Sequence, residues 1–438
     1  MRDDSRIAAA IEVLETIHAQ WAENSRAPAD AILSDYFKQR RYMGSKDRAF
    51  VAEMIYFILR YGGALEWWLE QMRTNNSPRQ IVVLALVLQY GYDVDDLKAI
   101  FTGEKHAPAP LRGTELRLAE GCHGQPVIHD AMPAWARYNV PSSLIPLLKQ
   151  TFGDDFEEAI EALNQEAPLD LRMNTLKCPD RSDLIMALDK YHFYGAPTPH
   201  SPLGVRLKKR EPVFTTQAFK DGWFEMQDEG SQIVAALVNA KPGDKVIDFC
   251  AGAGGKTLAI AAKMENKGRL LAWDVNDKRL NQIKKRLIRA GVDNTMLHVL
   301  DSETDPFIKR HHDTADWVLV DAPCSGSGTW RRNPDLKWRF TRQDLEELTQ
   351  IQINILRTSA KLVKSSGRIV YATCSLFADE NENQVKKFLV EHPDFRVEPL
   401  PEMWNKLRTW QEGVGSYLQL MPHRDGTDGF FAAIIRKL

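Results

Sequence analysis

The hydrophobic positions change period along this chain. From Asp4 to Glu23 apolar residues recur at helical spacing, with Ile7, Ile11, Leu14 and Ile17 on one face. The segment KDRAFVAEMIYFILR repeats the pattern: Phe50, Val51, Met54, Ile55, Ile58 and Leu59 form a stripe about 100° wide. Ser45 reads as its N-cap and Gly62-Gly63 as its stop. RQIVVLALVLQYG predicts a third helix, again closed by a glycine. Residues 1–130 therefore predict an all-α domain, a packing or binding module with no catalytic constellation in it.

Between 131 and 240 the periods mix. Pro133, Pro141 and Pro146 mark a linker into the helix DFEEAIEALNQE. LDLRMNTLK alternates and reads as a strand. SDLIMALDKY follows as a helix with Ser182 at its N-cap, and GVRLKKR reads as another strand. This predicts a small α+β domain. With Lys208, Lys209 and Arg210 beside it, such a platform could read nucleic acid; a solvated charge run is an equal reading.

From 241 to 438 apolar, β-rich runs alternate with helical ones. KVIDFC precedes a glycine-rich turn and a helix; LLAWDV precedes the helix NDKRLNQIKKRLIRAG. TMLHVL, WVLVDAPC, a long helix within DLEELTQIQINILRTSAKLVK, RIVYATCS and NENQVKKFLVEH follow. Strands alternating with helices predict a parallel sheet covered on both faces. FFAAIIRKL reads as a late strand, expected to run antiparallel.

The chemistry-bearing residues of this last part gather at strand ends. Cys250 ends the first strand, and AGAGGKT opens the next helix. Asp274, Asp301, Asp321 and Cys374 follow the second to fifth strands. Open α/β sheets bind ligands outside the carboxyl ends of their strands, so these residues predict a site there. A glycine-rich turn lets a ligand approach the backbone at a helix N-terminus. A dinucleotide fingerprint starting at Gly252 would need glycine at 257, where Thr257 stands, and a P-loop would need it at 250, where Cys250 stands. What remains is a nucleoside cofactor without a diphosphate cradle. S-adenosylmethionine fits, with its amino-acid tail near the glycines, its ribose at Asp274 and its adenine near Asp301.

Charge and cysteine usage sharpen this. The chain has 57 Lys+Arg against 59 Asp+Glu, a formal charge of -2, so no global excess of positive charge argues for nucleic acid. Its 5 cysteines contain no Cys-x-x-Cys, which predicts neither a disulfide framework nor a zinc site. A reducing compartment is then expected, with no metal. No apolar run approaches the roughly 18 residues of a spanning helix, and MRDDSRIAAAIEVLE lacks the pattern of a signal peptide. The expected location is the cytoplasm.

A lone cysteine is usually a small buried hydrophobe. Cys324 in DAPCSGSGT and Cys374 in YATCSLFADENE differ, because each ends an apolar strand at the site edge and precedes a serine. A helix expected to start near Asp379 would favour a thiolate at Cys374. Cys250 reads as a packing or backbone-contact position, and Cys122 and Cys178 as inert. A thiolate facing a methyl donor suits one chemistry in particular. Pyrimidine C5 is a poor nucleophile, and thiolate addition to C6 makes it enamine-like. A carboxyl group at the base edge stabilises the adduct, a role for which Asp321 is placed, and a base must then remove the C5 proton.

DFCAGAGGKT, VLVDAPCSGSGTWRRNPDLKW, YATCSLFADENE and PHRDGTDGFFAA resemble, in this order, the motifs of the Sun/Nop, RsmB-like family of RNA cytosine-C5 methyltransferases. LDLRMNTLK and GWFEMQDEGSQ resemble its upstream motifs. SKDRAFVAEMIYFILR resembles the NusB-like helical domain of such enzymes. The resemblance implies an α/β fold: a Rossmann-like class I methyltransferase domain, with a small α+β domain and an all-α N-terminal domain. It implies Cys374 of Thr-Cys-Ser as the nucleophile and Cys324 of Pro-Cys in product release. DNA cytosine-C5 methyltransferases use the Pro-Cys cysteine instead and carry a Glu-Asn-Val motif, which is absent here. It further implies S-adenosylmethionine contacts at Cys250, Ala251, Gly252, Ala253, Gly254, Gly255 and Lys256, and at Asp274, Asp301 and Asp321. Lys256 would orient Asp321. Arg172 and Asn174 would contact substrate or join domains.

RNA suits the surroundings. Lys278, Arg279, Lys284, Lys285, Arg286 and Arg289 share one predicted helix, which can equally be a solvated face. Arg331, Arg332, Lys337 and Arg339, interleaved with Trp330 and Trp338, follow the Pro-Cys loop, where they could hold phosphates and stack bases. The target base must be single-stranded or flipped out. Ribosomal RNA is favoured by the RsmB-like layout, with tRNA the alternative. A non-catalytic RNA-binding assembly protein on this fold, and a nicotinamide oxidoreductase, are the rivals; the two cysteines with Asp321 oppose the first, and Thr257 the second.

Overall fold

The computed structural model describes residues 1–23, 27–412 and 415–438. Two compact units form: Met1–Gln165 with Trp330–Phe340, and Glu166–Thr329 with Thr341–Leu438.

The first unit is helical. Its helices Asp3–Ala22, Ala29–Gln39, Ser45–Arg60, Gly62–Gln71 and Pro78–Tyr90 turn the expected apolar stripes inward, so that Ile7, Leu14, Val51, Met54 and Leu84 are fully buried together. Two boundaries differ from the sequence expectation. Ser45 is already helical; Gly44 is the N-cap, and its N–H donates to Asp47 Oδ2 at 3.0 Å. Gly62-Gly63 is not a stop but the start of the next helix, after a turn at Tyr61. The proline-marked stretch is also not a plain linker, since it folds into the helices Ala134–Arg137 and Ile145–Phe152.

Segment Trp330–Phe340 completes this unit through the end of helix Ser45–Arg60. The last carbonyls of a helix lack partners within it. Here Lys337 Nζ donates to the Arg60 carbonyl at 2.9 Å, and Trp338 Nε1 to the Leu59 carbonyl at 2.6 Å. Lys337 also reaches Asn164 Oδ1 at 2.9 Å, and Ala29 N–H donates to Asp335 Oδ2 at 3.3 Å. The helix dipole favours a positive charge here, while burial and the Arg60 charge push the Lys337 pKa well down.

The second unit holds two sheets. The smaller has β1 (Asp170–Met173), β2 (Gly195–Pro197), β3 (Gly204–Leu207) and β4 (Phe224–Met226) in the order β2-β3-β1-β4, antiparallel throughout. Helix Arg181–Asp189 follows β1; its N-cap is Asp180, which accepts the Ser182 N–H at 2.7 Å, rather than Ser182 itself.

The larger sheet has nine strands: β5 (Lys245–Asp248), β6 (Arg269–Asp274), β7 (Thr295–Val299), β8 (Ala315–Asp321), β9 (Val363–Thr373), β10 (Phe395–Glu398), β11 (Arg408–Gln411), β12 (Gly415–Leu420) and β13 (Phe430–Lys437). The order is β11-β12-β13-β9-β8-β5-β6-β7, with β10 on β13. β5 to β9 are mutually parallel, and β13 joins β9 antiparallel, as its sequence suggested. Alternate residues face opposite sides, so one strand feeds two cores. Ile247, Val318, Val320 and Ile369 pack with Ile353 and Leu356 of the long helix Arg342–Leu362; Val246, Leu319 and Val370 pack with Ile233 and Leu258. The chain winds from β5 to β6 on one side and reaches β8 on the other. The switch in strand order thus lies between β5 and β8, at whose carboxyl ends open α/β sheets bind their ligands.

Candidate active site

Beyond β5 the chain turns through Cys250–Gly254. Ala251 N–H donates to the Trp273 carbonyl at 2.8 Å, and Gly252 N–H to Asp274 Oδ2 at 2.7 Å, which fastens the loop to the end of β6. Gly254 has φ +83°, and a Cβ there would lie 2.8 Å from Ile283, so a side chain is excluded twice over. Helix Gly255–Lys263 starts from it without a side-chain cap, leaving its first N–H groups for an anion. Asp274 is nearly buried, while Asp301, just past β7, is exposed. Glycine backbone, an uncapped helix start and two carboxylates on neighbouring strand ends form a donor set that suits a nucleoside carrying an amino-acid tail.

Asp321 ends β8 and accepts Lys256 Nζ at 2.7 Å. Burial presses the Lys256 pKa down, but the Asp321 charge and hydrogen bond outweigh it and the net shift is upward. The ammonium therefore stays charged and holds the carboxylate in place. Strand register sets Asp321 opposite Ala372, so Cys324 and Cys374 follow on adjacent strand ends. Their sulfurs are 3.4 Å apart. Its hydrogen bond to Cys374, then burial, push the Cys324 thiol well above its ordinary range. A 3-10 turn, Ala378–Glu380, stands after the Thr-Cys-Ser motif, and the helix proper begins at Glu382, not at Asp379.

The acid Glu380 was invisible as a site residue in the sequence. It is fully buried. Its Oε1 accepts the Ser325 N–H at 2.8 Å and Gln352 Nε2 at 3.0 Å; its Oε2 accepts the Ser325 hydroxyl at 2.5 Å and the Ser375 hydroxyl. Burying a carboxylate costs several kcal/mol. Hydrogen bonds to a charged group return roughly 1.5–3 kcal/mol each, so four donors make the burial tolerable. Burial pushes its pKa up, and these bonds pull against it. Gly328 N–H donates to the Cys374 carbonyl at 2.9 Å, and a Cβ on Gly328 would fall 2.2 Å from the Gly429 carbonyl oxygen, so only glycine lets these loops close.

Asp248 lies beneath this floor. It is buried, accepts the Thr257 hydroxyl at 2.6 Å, and burial chiefly lifts its pKa to about 7. Unfolded, an aspartate titrates near about 3.9. The folded chain thus binds the extra proton in between, and stability from this group is full below the lower value and is lost as pH rises through about 7. Asp248→Asn keeps an acceptor for Thr257 and cannot ionise. The melting temperature of this variant, relative to the parent, is expected to climb by several degrees from pH 5 to pH 8; a constant offset across that range would refute the assignment.

Several sequence-selected residues are engaged with the protein's own groups. Arg172, 3% exposed, donates to Gln227 and, at 2.7 Å, to the Gly255 carbonyl, and burial lowers its pKa to about 10. Asn174 Nδ2 donates to the Gly222 and Ala290 carbonyls at 2.8 and 2.9 Å. Both join the small sheet to helix Gly255–Lys263 and to the end of helix Asp277–Ala290. Trp330 is 2% exposed and presents no ring face to a base. Arg331 is buried, its carbonyl accepting from Arg60, and Arg332 is half-buried. Lys337 and Arg339 engage the helical unit's own groups. On the basic helix Asp277–Ala290, Arg286 and Arg289 pair with Glu225, whereas Lys278, Lys284 and Lys285 are exposed. Among the described residues, no cluster of His, Cys, Asp and Glu could hold a metal, and no helix is long and apolar enough to cross a membrane.

Known proteins share this architecture. The family described as 16S rRNA methyltransferase RsmB/F matches residues 235–436, and the ferredoxin-like domain of RsmF/B-like methyltransferases matches residues 140–214. The crystal structure of PH0851 superposes with a TM-score of 0.80 at 26% identity, covering 100% of this chain and 99% of that one. NSun6 from Pyrococcus horikoshii, solved with SFG, shares the fold at a TM-score of 0.60 and 23% identity over 68% of this chain and 98% of its own. The probable ribosomal RNA small subunit methyltransferase B of Synechocystis is 31% identical over 94% of this chain and 96% of its own length. This chain belongs to the RsmB/F family of S-adenosylmethionine-dependent RNA methyltransferases.

Proposed function

We propose that the chain methylates C5 of a cytosine in small-subunit ribosomal RNA through a covalent bond from Cys374 to C6. The observation that carries this reading is the pair of sulfurs 3.4 Å apart beside the Lys256–Asp321 ion pair, at the switch point of the sheet. S-adenosylmethionine supplies an electrophilic methyl group. Gly252, the uncapped start of helix Gly255–Lys263, Asp274 and Asp301 hold it. Cys374 adds its sulfur to C6 while its proton passes to N3 of the base, which makes C5 nucleophilic. Asp321, held by Lys256, accepts hydrogen bonds from the base edge and so favours the proton that N3 takes up as the sulfur adds, which leaves the adduct neutral. After methyl transfer the C5 proton passes to water, the C5–C6 double bond re-forms as the Cys374–C6 bond breaks, and the N3 proton returns to the Cys374 sulfur. Cys324, protonated because its pKa is raised, stabilises the departing sulfur by donating its S–H. A reducing compartment keeps both sulfurs free of a disulfide, which supports a cytoplasmic location.

RNA contact falls to the exposed Lys278, Lys284 and Lys285 rather than to the enclosed Trp330 and Arg331. Bisulfite sequencing of RNA from a deletion strain and its parent tests the reading. One small-subunit rRNA cytosine should lose protection in the deletion strain. A tRNA cytosine behaving so would move the substrate, and no change at any cytosine would sink the proposal.

A further inference from the structure

The two reactive motifs share a dipeptide: Cys324-Ser325 after β8 and Cys374-Ser375 after β9. The serines converge. Both hydroxyls donate to one atom, Glu380 Oε2, while the sulfurs one residue earlier meet at 3.4 Å. Glu380 Oε1 takes the Ser325 N–H and the Gln352 amide, and Gln352 also donates to the Pro323 carbonyl at 2.9 Å. The carboxylate thus grips the Pro-Cys loop and the Thr-Cys-Ser loop at once. A buried acid is a costly way to fill space, and an apolar side chain would pack there without converging either loop.

We propose that Glu380 is a positioning residue: its carboxylate clamps the two Cys-Ser loops together and thereby sets the spacing of Cys324 and Cys374. The catalytic consequence rests on the roles proposed above for those cysteines; the spacing itself does not. A misplacement of about 1 Å at reacting atoms can cost on the order of a hundredfold in rate. Loosening the clamp should therefore lower turnover and leave the cofactor side, which does not touch Glu380, intact.

Two measurements on the full chain test this. Diamide takes up two electrons and two protons as an S–S bond forms between neighbouring thiols, so its closure of Cys324 onto Cys374 reports their spacing without any methyl transfer. Closure should be fast in the parent and at least about tenfold slower in Glu380→Ala, with Glu380→Gln between them because it keeps one acceptor oxygen. In RNA methylation, Glu380→Ala should lose roughly a hundredfold in kcat, with the KM for both substrates within about threefold and calorimetric S-adenosylmethionine binding unchanged. If Glu380→Ala fails to fold, the Ser325→Ala/Ser375→Ala double variant, which leaves the acid in place, should show the same slow closure. Parent-like closure in a folded Glu380→Ala or in the double variant overturns the clamp. So does a loss of cofactor binding in step with kcat, which marks a general structural role. A parent that closes its disulfide yet methylates no RNA refutes the proposed function and leaves the clamp standing.

Discussion

Cys374→Ala should abolish methyl transfer from labelled S-adenosylmethionine to RNA, by roughly four to six orders of magnitude, as when other covalent mechanisms lose their nucleophile. The loss should lie in chemistry and not in cofactor binding. Gly252, Asp274 and the start of helix Gly255–Lys263 are organised by hydrogen bonds among β5, β6 and their loops, none of which involves the Cys374 side chain. A calorimetric titration should therefore find parent-like affinity in the dead variant. Substantial turnover by Cys374→Ala would transfer the nucleophile to Cys324, the other sulfur within reach of the same base.

Cys324→Ala should fail at the opposite end of the cycle. With Cys374 intact, addition to C6 and methyl transfer proceed, but the departing sulfur loses the S–H 3.4 Å away. The methylated RNA should then remain bound to the enzyme and migrate with it as a slow band on a denaturing gel, and turnover should stop near one equivalent. The band should vanish in Cys324→Ala/Cys374→Ala. Normal multiple turnover by Cys324→Ala, with no band, would remove Cys324 from release.

Much of this site was legible because sheet periodicity and strand-end chemistry coincide. The parallel order of β5 to β9 followed from alternating apolar runs, and Asp274, Asp321 and Cys374 stood where those runs stop. FFAAIIRKL was readable as a late strand from its apolar run, and its pairing with β9 makes it antiparallel. Helix boundaries were less so, since Ser45 and Ser182 were good caps by type while Gly44 and Asp180 took the positions. Glu380 escaped because an acid within ADENE has the composition of a solvated helix start; the repeated Cys-Ser dipeptide was the available signal that something must gather the two serines. Lys337 and Trp330 misled in the opposite sense. A basic, aromatic run reads as a surface for RNA, and only tertiary contacts reveal Lys337 as a cap on the carbonyl end of helix Ser45–Arg60.

That cap bears on the order in which the protein matures on the ribosome. The helical unit includes Trp330–Phe340, so its final pieces are made about 175 residues after Gln165. At 5–20 residues per second this is a wait of roughly ten to thirty-five seconds. During it, the Leu59 and Arg60 carbonyls lack the Trp338 indole and the Lys337 ammonium. The first unit to be translated is thus completed only after most of the second has been made, so its nascent form waits with an unfinished edge.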